Sequence, residues 1–138
     1  MKVVKHISSY NLNTPSWDEI LNNFNQAALN KEPLKNSSPG FFASHSAQHM
    51  LTVKTVLNDL RLKEAHLYLN ITELSEAFPK HKDNMDVYFW QAKGGSKWLI
   101  GDKGQEEYIL KEGDLLYVPA LTYHKVTPIG PRAGISMA

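Results

Sequence analysis

Two stretches decide the fold of this chain, HKDNMDVYFWQAKGGSKW at residues 81–98 and GDLLYVPALTYH at residues 113–124. In an extended segment, His81 and Asp83 lie on the same face, so an imidazole and a carboxylate can coordinate one metal ion. A third ligand must come from elsewhere, and His124 is the natural candidate. Two histidines and one carboxylate on one face of an octahedral ion leave three coordination positions open.

The second stretch strengthens this interpretation, because a His-x-Asp spacing alone also arises by chance. Gly113 and Asp114 turn the chain into a strand, Pro119 interrupts that strand, and His124 returns on the next one. The other four histidines have weaker contexts. His66 faces the polar side of a predicted strand, and no pattern supports a role for the remaining three, His6, His45 and His49.

From Ala65 onward the apolar residues alternate, which is typical of strands. In AHLYLNIT (65–72), His66, Tyr68, Asn70 and Thr72 form one polar face, which solvent or the polar lumen of a ligand-binding barrel would accommodate. Turn signals at Gly94-Gly95, 101–104, 112–114 and 128–131 separate further short strands. These strands are expected at 86–92, 97–101, 107–110, 115–118, 122–127 and 133–137. Such spacing predicts an all-β sandwich or barrel.

The first 62 residues mix helix and loop. One helix is predicted after Thr14-Pro15, with Ser16 and Glu19 as an alternative capping box, and its apolar stripe is Trp17, Leu21, Phe24 and Ala28. Residues 30–40 read as a loop. A second helix is predicted over 53–60, although a strand over 50–56 is an alternative. The chain is therefore expected to be one domain over 1–138, with 1–62 covering a core of strands over 65–138.

The composition of the chain narrows the classes of function that it can have. The 138 residues carry 15 Lys and Arg against 14 Asp and Glu, so neither a nucleic acid nor a membrane surface is an expected partner. There is no cysteine, which excludes disulfides, zinc fingers and a thiol nucleophile. The N-terminal residues lack an apolar signal region, and no apolar run approaches about 18 residues. The expected location is the cytoplasm.

Residues 81–138 resemble the JmjC-type branch of the cupin superfamily, which contains 2-oxoglutarate-dependent oxygenases. After His81 and Asp83, that pattern is met by Gln91, Gly94 and Trp98. The later family segment is met by Gly113, Asp114, Tyr117, Pro119 and His124. The closing GPRAGISMA (130–138) also resembles the last barrel strand of small stand-alone members.

This resemblance implies a mainly β cupin fold, a double-stranded β-helix or jelly-roll barrel, with one or two short N-terminal helices packed outside. It implies that His81, Asp83 and His124 are catalytic residues that ligate Fe(II) or another divalent metal. It implies 2-oxoglutarate as co-substrate, which O₂ converts to succinate while a substrate is hydroxylated. The substrate is an unknown small molecule or protein side chain, and a homodimer is expected from the habit of cupins.

The sequence departs from the family where related oxygenases place a lysine that anchors 2-oxoglutarate, because this chain has Ser96 there. Lys97 has the opposite strand parity. Arg132 lies where other 2-oxoglutarate enzymes place an anchoring arginine, and Tyr68, Asn70 and Thr72 are candidates for further hydrogen bonds to the co-substrate. Ser96 favours an alternative, a metal-binding cupin that does not use 2-oxoglutarate, such as a sugar isomerase, an epimerase or a non-catalytic ligand-binding module. A metal-free dimeric structural unit is a third alternative.

Overall fold

Strands dominate the structure, a computed structural model that describes residues 2–32 and 34–138. None of the helices in these ranges is long and apolar enough to cross a bilayer. A short 3-10 turn at Ala47–His49 precedes the second helix. In chain order, the elements are β1 (Lys5–Ile7), α1 (Trp17–Leu29), β2 (Lys35–Ser38), β3 (Phe41–Ser44), α2 (Leu51–Leu60), β4 (Ala65–Asn70), β5 (Val87–Ile100), β6 (Glu106–Leu110), β7 (Leu115–Val118) and β8 (His124–Met137).

All strands belong to one antiparallel sheet, in the order β1-β7-β5-β8-β4-β3-β2, with β6 paired to β5. The prediction of a mainly β chain with two N-terminal helices is confirmed. The hydrogen-bonded path does not return from β2 to β1 within the described residues. The sheet is therefore curved but open, where a closed barrel was expected.

The strands β5 and β8 are each 14 residues long, where the sequence predicted two shorter strands separated by a turn. At Gly94 the chain does not turn back, and the pairing with β8 shifts register on either side of Lys93 instead. Gly94 has a φ of +65°, and a Cβ there would lie 2.2 Å from the carbonyl oxygen of Pro131. Glycine thus permits a bulge and a close approach of β8, which explains why the turn prediction is wrong.

The helices begin near their predicted positions. Ser16 is the N-cap of α1, and its Oγ accepts a hydrogen bond of 3.1 Å from Glu19 N, as the alternative capping box predicted. The second helix begins at Leu51, two residues before the predicted start. Thr52 lies inside α2, and its Oγ1 donates to Glu19 Oε2 at 3.0 Å, which ties the two helices together.

The predicted apolar stripe of α1 is wrong, because the helix buries a face that is rotated from the predicted one. Trp17 and Leu21 are 39% and 54% exposed, and the buried residues are Ile20, Asn23, Phe24 and Ala27. The face is rotated because Asn23 is buried with its amide satisfied. Its Nδ2 donates to the carbonyl oxygen of Ser46 at 3.1 Å, and its Oδ1 accepts from Ser44 Oγ at 3.2 Å.

Three strands were not predicted. The predicted loop over 30–40 includes residue 33, which lies outside the described residues, and its remainder supplies β2 and the turn into β3. The strand β1 lies at the edge of the sheet on β7. These strands have three or four residues each, so they are too short to show a period of two.

Two apolar clusters lie on opposite faces of the sheet. One joins the helices to the outer face, and its members include Ile20, Phe24, Val53, Val56, Leu67, Trp90 and Ile135. The other lies within the curve of the sheet and contains Phe89, Trp98, Ile100, Leu110, Leu116 and Val118. Because β4 alternates, Leu67 and Leu69 join the first cluster while Tyr68 packs on the second. The inner face is thus left to line a cavity.

Candidate metal centre

The backbone brings the three predicted ligands together. His81 pairs with His124 as an isolated antiparallel bridge, with N···O distances of 3.1 Å and 2.8 Å in the two directions. Leu121 N donates to the carbonyl oxygen of Asp83 at 2.8 Å. The segment that contains His81 and Asp83 is therefore bound to the chain that enters β8, and ligands 43 residues apart in sequence become neighbours.

The ligand atoms of His81, Asp83 and His124 all lie within 4.8 Å of one another. Asp83 Oδ1 is 3.8 Å from His81 Nε2, and Asp83 Oδ2 is 3.5 Å from His124 Nε2. Two imidazole nitrogens and one carboxylate suit Fe(II), Co(II), Ni(II), Mn(II) or Zn(II) at a site with open positions. The donor set and its spacing therefore fit one divalent metal ion.

Both histidines present the same nitrogen to this site. His81 Nδ1 lies 2.8 Å from the carbonyl oxygen of Pro79, and His124 Nδ1 lies 3.0 Å from that of Thr122. A carbonyl oxygen only accepts, so each Nδ1 carries the proton and each Nε2 keeps its lone pair. Backbone carbonyls commonly orient metal-binding histidines in this way.

The surroundings favour the neutral form of His124. Burial of the ring lowers the pKa of His124, and the neighbouring His81 lowers it further, against the Thr122 carbonyl and Asp83, which raise it. Neutral imidazole is the form that ligates metals. The indole of Trp98 stacks on the His124 ring at 5.6 Å between centroids, with 29° between the planes, and fixes its orientation.

A cavity of about 650 Å³ opens from the three ligands into the curve of the sheet. This volume is within the range of small-molecule sites. The walls are mostly apolar and aromatic, formed by Phe41, Phe78, Val87, Phe89, Trp98, Val118 and Val126. Polar groups line restricted parts of the wall, namely His45, Glu64, His66, Tyr68, Asn84, Arg132 and Ser136, besides the three candidate ligands.

Arg132 contributes a buried cation to the cavity. Its side chain is almost inaccessible, at 1% exposure, and burial lowers its pKa to about 10, so it is charged at neutral pH. Its Nε donates to Asn70 Oδ1 at 2.7 Å, and its guanidinium lies over the ring of Phe89 at 5.9 Å. Among the described residues, Nη1 has no hydrogen-bond partner although it is buried. Such a donor calls for an acceptor from a ligand or water.

Tyr68 lies on the same wall. Burial raises the pKa of Tyr68 to about 12, and the negative charge of Asp83 adds to this shift, so the phenol is neutral at physiological pH. Its hydroxyl lies 3.5 Å from His66 Nδ1. Of the five residues that the sequence suggested for co-substrate binding, Tyr68 and Arg132 line the cavity together with the three ligands.

Asn70, Thr72 and Ser96, which were expected beside the co-substrate, are not among the lining residues. Asn70 is held by Arg132 and by Ser75, to whose Oγ it donates at 2.8 Å. Thr72 follows the end of β4, and its Oγ1 accepts from Leu74 N at 3.2 Å. Ser96 is buried, donates to Gln91 Oε1 at 2.6 Å and accepts from Trp98 Nε1 at 3.0 Å. Local hydrogen bonds thus occupy all three side chains.

Sequence patterns missed part of the lining. Phe78 packs edge-on against His81 at 6.0 Å and against Tyr68 at 5.3 Å, but it stands in a segment without periodicity, so no signal marked it. His45 stacks on His66 at 4.1 Å between centroids, and both rings line the cavity. The polar parity of β4 had indicated His66 for a pocket, whereas β3 was not predicted and nothing indicated His45.

Comparisons with known proteins identify the fold. No protein-family model and no curated protein matches the sequence significantly. An X-ray structure of Escherichia coli YcfD matches with a TM-score of 0.77 at 13% identity, over 99% of this chain and 49% of that one. The ribosomal oxygenase YcfD in complex with cobalt and 2-oxoglutarate matches with 0.76 at 14% identity, over 99% and 47%. The chain therefore spans about half the length of these structures.

Smaller cupins match as well. A cupin superfamily protein from Desulfitobacterium hafniense gives a TM-score of 0.55 at 14% identity, over 75% of this chain and 81% of that one. KdgF from Halomonas sp. gives 0.51 at 14% identity, over 78% and 89%. The predicted double-stranded β-helix is thereby confirmed. The chain has the JmjC-like cupin fold, and its two-histidine, one-carboxylate site has the geometry for a divalent metal ion.

Proposed function

We propose that the chain is an Fe(II)- and 2-oxoglutarate-dependent oxygenase that hydroxylates its substrate. His81, Asp83 and His124 would hold the metal and leave positions open for the co-substrate and O₂. When bound, the iron and 2-oxoglutarate supply the oxidising chemistry, and the residues of this chain bind, orient and exclude water. The structural relatives include an oxygenase crystallised with cobalt and 2-oxoglutarate, which supports the proposal at the level of the fold.

The observation that carries this proposal is Arg132, which lines the cavity and whose buried Nη1 has no partner among the described residues. A buried cation without an anion is unfavourable, and a carboxylate is the group that satisfies a guanidinium best. 2-Oxoglutarate has two carboxylates. One would lie at the metal held by His81, Asp83 and His124, and the other would pair with Arg132. Arg132 would thus replace the family lysine, whose position is taken by Ser96.

The walls suit this assignment. The indole of Trp98 covers the buried ring of His124, so the aromatic wall would exclude water from one side of a bound metal and strengthen the electrostatic contacts made there. The neutral phenol of Tyr68 can donate a hydrogen bond to an anionic ligand, since its pKa is about 12. A cavity of about 650 Å³ has room for 2-oxoglutarate and for a substrate side chain.

One observation favours the second candidate, a metal-binding cupin that does not use 2-oxoglutarate. Ser96 stands at the position of the expected lysine, and Gln91 and Trp98 engage its hydroxyl away from the cavity. In this alternative, Arg132 would bind a different anion, such as the carboxylate of a sugar acid. Both candidates need the metal, so only the ligand distinguishes them.

The test is an anaerobic Fe(II) titration with and without 2-oxoglutarate, following the visible metal-to-ligand charge-transfer band. The band should appear only when both Fe(II) and 2-oxoglutarate are present. Arg132→Met should weaken the binding of 2-oxoglutarate about 10- to 100-fold, because a lost charged hydrogen bond costs roughly 1.5–3 kcal/mol. Arg132→Lys, the control, should retain part of the affinity. Iron binding without a band in the parent protein would reject the oxygenase and favour the second candidate.

A further inference from the structure

The outer face of the ligand segment is basic. Residues 80–83 alternate, so that His81 and Asp83 face the metal site while Lys80 and Lys82 are exposed on the other side. Both ammonium groups lie over the ring of Tyr123, at 5.3 Å and 5.0 Å from its centroid. These cation–π contacts hold two positive charges close together beside the metal centre.

Two further lysines extend this surface. Lys80, Lys103 and Lys125 border a shallow depression of about 210 Å³, where Lys80 Nζ donates to the backbone carbonyl oxygen of Asp102 at 2.8 Å. All four lysines are exposed, and none of them forms a salt bridge with any side chain that the structure describes. The Asp102 side chain is the single acidic group bordering this depression. The four lysines are called the basic rim below.

We propose that the basic rim (Lys80, Lys82, Lys103 and Lys125) is a docking surface for an acidic segment of a protein substrate. His81 and His124 each lie between or next to lysines of the rim in sequence, so a chain bound there would lie along the outer side of the segments that carry the metal site. Ammonium groups that are partly ordered but have no carboxylate partner attract carboxylates at a modest entropic cost. The proposal names the substrate class and therefore rests on the function proposed above.

Nucleic acid fits this surface less well. Both lysines cover the Tyr123 ring, so a base cannot stack on it as single strands do on exposed aromatic residues. The basic charge is also local, because the net charge is only +1 and Glu106 and Glu107 are exposed on β6 close by. A phosphate backbone needs a longer basic track, whereas a few carboxylates match four lysines.

The test uses fluorescence anisotropy of the full chain with a labelled deca-glutamate peptide and, separately, a labelled ten-nucleotide RNA. The rim variant is Lys80→Gln/Lys82→Gln/Lys103→Gln/Lys125→Gln. A matched control removes the same charge elsewhere, at four other exposed lysines: Lys5→Gln/Lys54→Gln/Lys63→Gln/Lys111→Gln. The peptide should bind the parent protein and the control alike, and the rim variant about tenfold or more weakly, since four exposed ion pairs are lost.

Three results would overturn the proposal: no peptide binding, equal loss in the control variant, or tighter binding of the RNA through the rim. Binding should also weaken with added salt, because exposed charges are screened. The anisotropy assay needs no metal, whereas the oxygenase proposal is tested by the charge-transfer band. A rim variant that keeps the band but loses the peptide separates docking from chemistry, and a parent protein that binds peptide without the band leaves docking intact and rejects the oxygenase.

Discussion

Asn70 lies directly opposite Arg132 in the β4–β8 pair, and its Oδ1 accepts a hydrogen bond from Arg132 Nε at 2.7 Å. The amide is itself fixed, because its Nδ2 donates to Ser75 Oγ at 2.8 Å. One edge of the guanidinium is thereby occupied, and Nη1 remains without a partner among the described residues. Asn70 thus positions the cation without lining the cavity.

Replacing Asn70 tests this relationship. Asn70→Ala should destabilise the fold by about 1–3 kcal/mol, because a second buried donor of Arg132 loses its partner. It should also weaken the binding of 2-oxoglutarate, since the guanidinium of Arg132 is no longer oriented. Asn70→Asp is the matched control. It keeps the oxygen that accepts from Arg132 Nε and most of the stability of the fold. Its negative charge neutralises Arg132, however, so the binding of 2-oxoglutarate should be lost. Denaturant unfolding and the charge-transfer titration measure the two effects, and unchanged affinity in both variants would contradict the assignment.

Metal binding should depend on His124. His124→Gln should abolish one-to-one binding of Fe(II) or Co(II) while the fold survives, because two ligands remain where three are needed. Isothermal titration measures the stoichiometry, and circular dichroism confirms the fold. His49→Ala is the control, since that exposed histidine lies outside the cavity. Retained one-to-one binding in His124→Gln would remove His124 from the metal site.

The grouping of His81, Asp83 and His124 could be predicted, because two local spacings carry these residues. An extended segment places His81 and Asp83 on one face, and the turn at Gly113-Asp114 sets up the return to His124. Arg132 was suggested by the resemblance to 2-oxoglutarate enzymes that place an anchoring arginine in this region. Its orientation could not be predicted, because it depends on Asn70, a residue 62 positions away.

Elsewhere, long-range contacts override local patterns. Gly94 and its neighbour suggested a hairpin turn, but the close approach of Pro131 makes the same glycine a bulge within β5. Hydrophobic periodicity placed Trp17 and Leu21 in the core, whereas the buried face of α1 includes Asn23, because Ser44 and Ser46 satisfy its amide. Hydrophobic patterns do not represent such polar packing.

Trp98 should report metal binding. Its indole lies 5.6 Å from the His124 ring, and a paramagnetic Co(II) ion held by His124 should quench its emission. Trp98→Phe should therefore lose most of the Co(II)-dependent quenching. Trp17→Phe, which removes a half-exposed indole on α1, should keep it. Fluorescence titration measures the effect, and equal quenching in Trp98→Phe and the parent protein would place the metal elsewhere.

Asp86 should make the stability of the fold depend on pH in the acid range. The hydrogen bond from Lys2, 2.5 Å long, and the hydrogen bond from Ala120 N, 2.9 Å long, lower the pKa of Asp86 to about 2. Because this value lies below the unfolded value of about 3.9, the stabilisation is complete above about pH 4 and is lost as the pH falls through about 2. The melting temperature should therefore fall less between pH 4 and pH 2 in Asp86→Asn than in the parent. Asp59→Asn, an exposed carboxylate on α2, should follow the parent curve.

Gly134 should be essential to the cavity wall. A Cβ on this residue would lie 2.0 Å from Phe89 Cζ and 3.0 Å from Arg132 Nη1. Gly134→Ala must displace the phenyl ring, and overpacking of this kind costs about 1–3 kcal/mol. Because the Phe89 ring lies under the Arg132 guanidinium, the binding of 2-oxoglutarate should weaken as well.

A second substitution tests whether this clash is the cause. Phe89→Leu removes the atom that the new methyl group meets, so the double variant Gly134→Ala/Phe89→Leu should be more stable than the sum of the two single changes predicts. Denaturant unfolding of the four proteins gives the coupling free energy, expected at about 0.5–3 kcal/mol in favour of the pair. Strict additivity would show that Gly134 acts through its backbone, which pairs with Tyr68 and Gln91, and not through the space it leaves for Phe89.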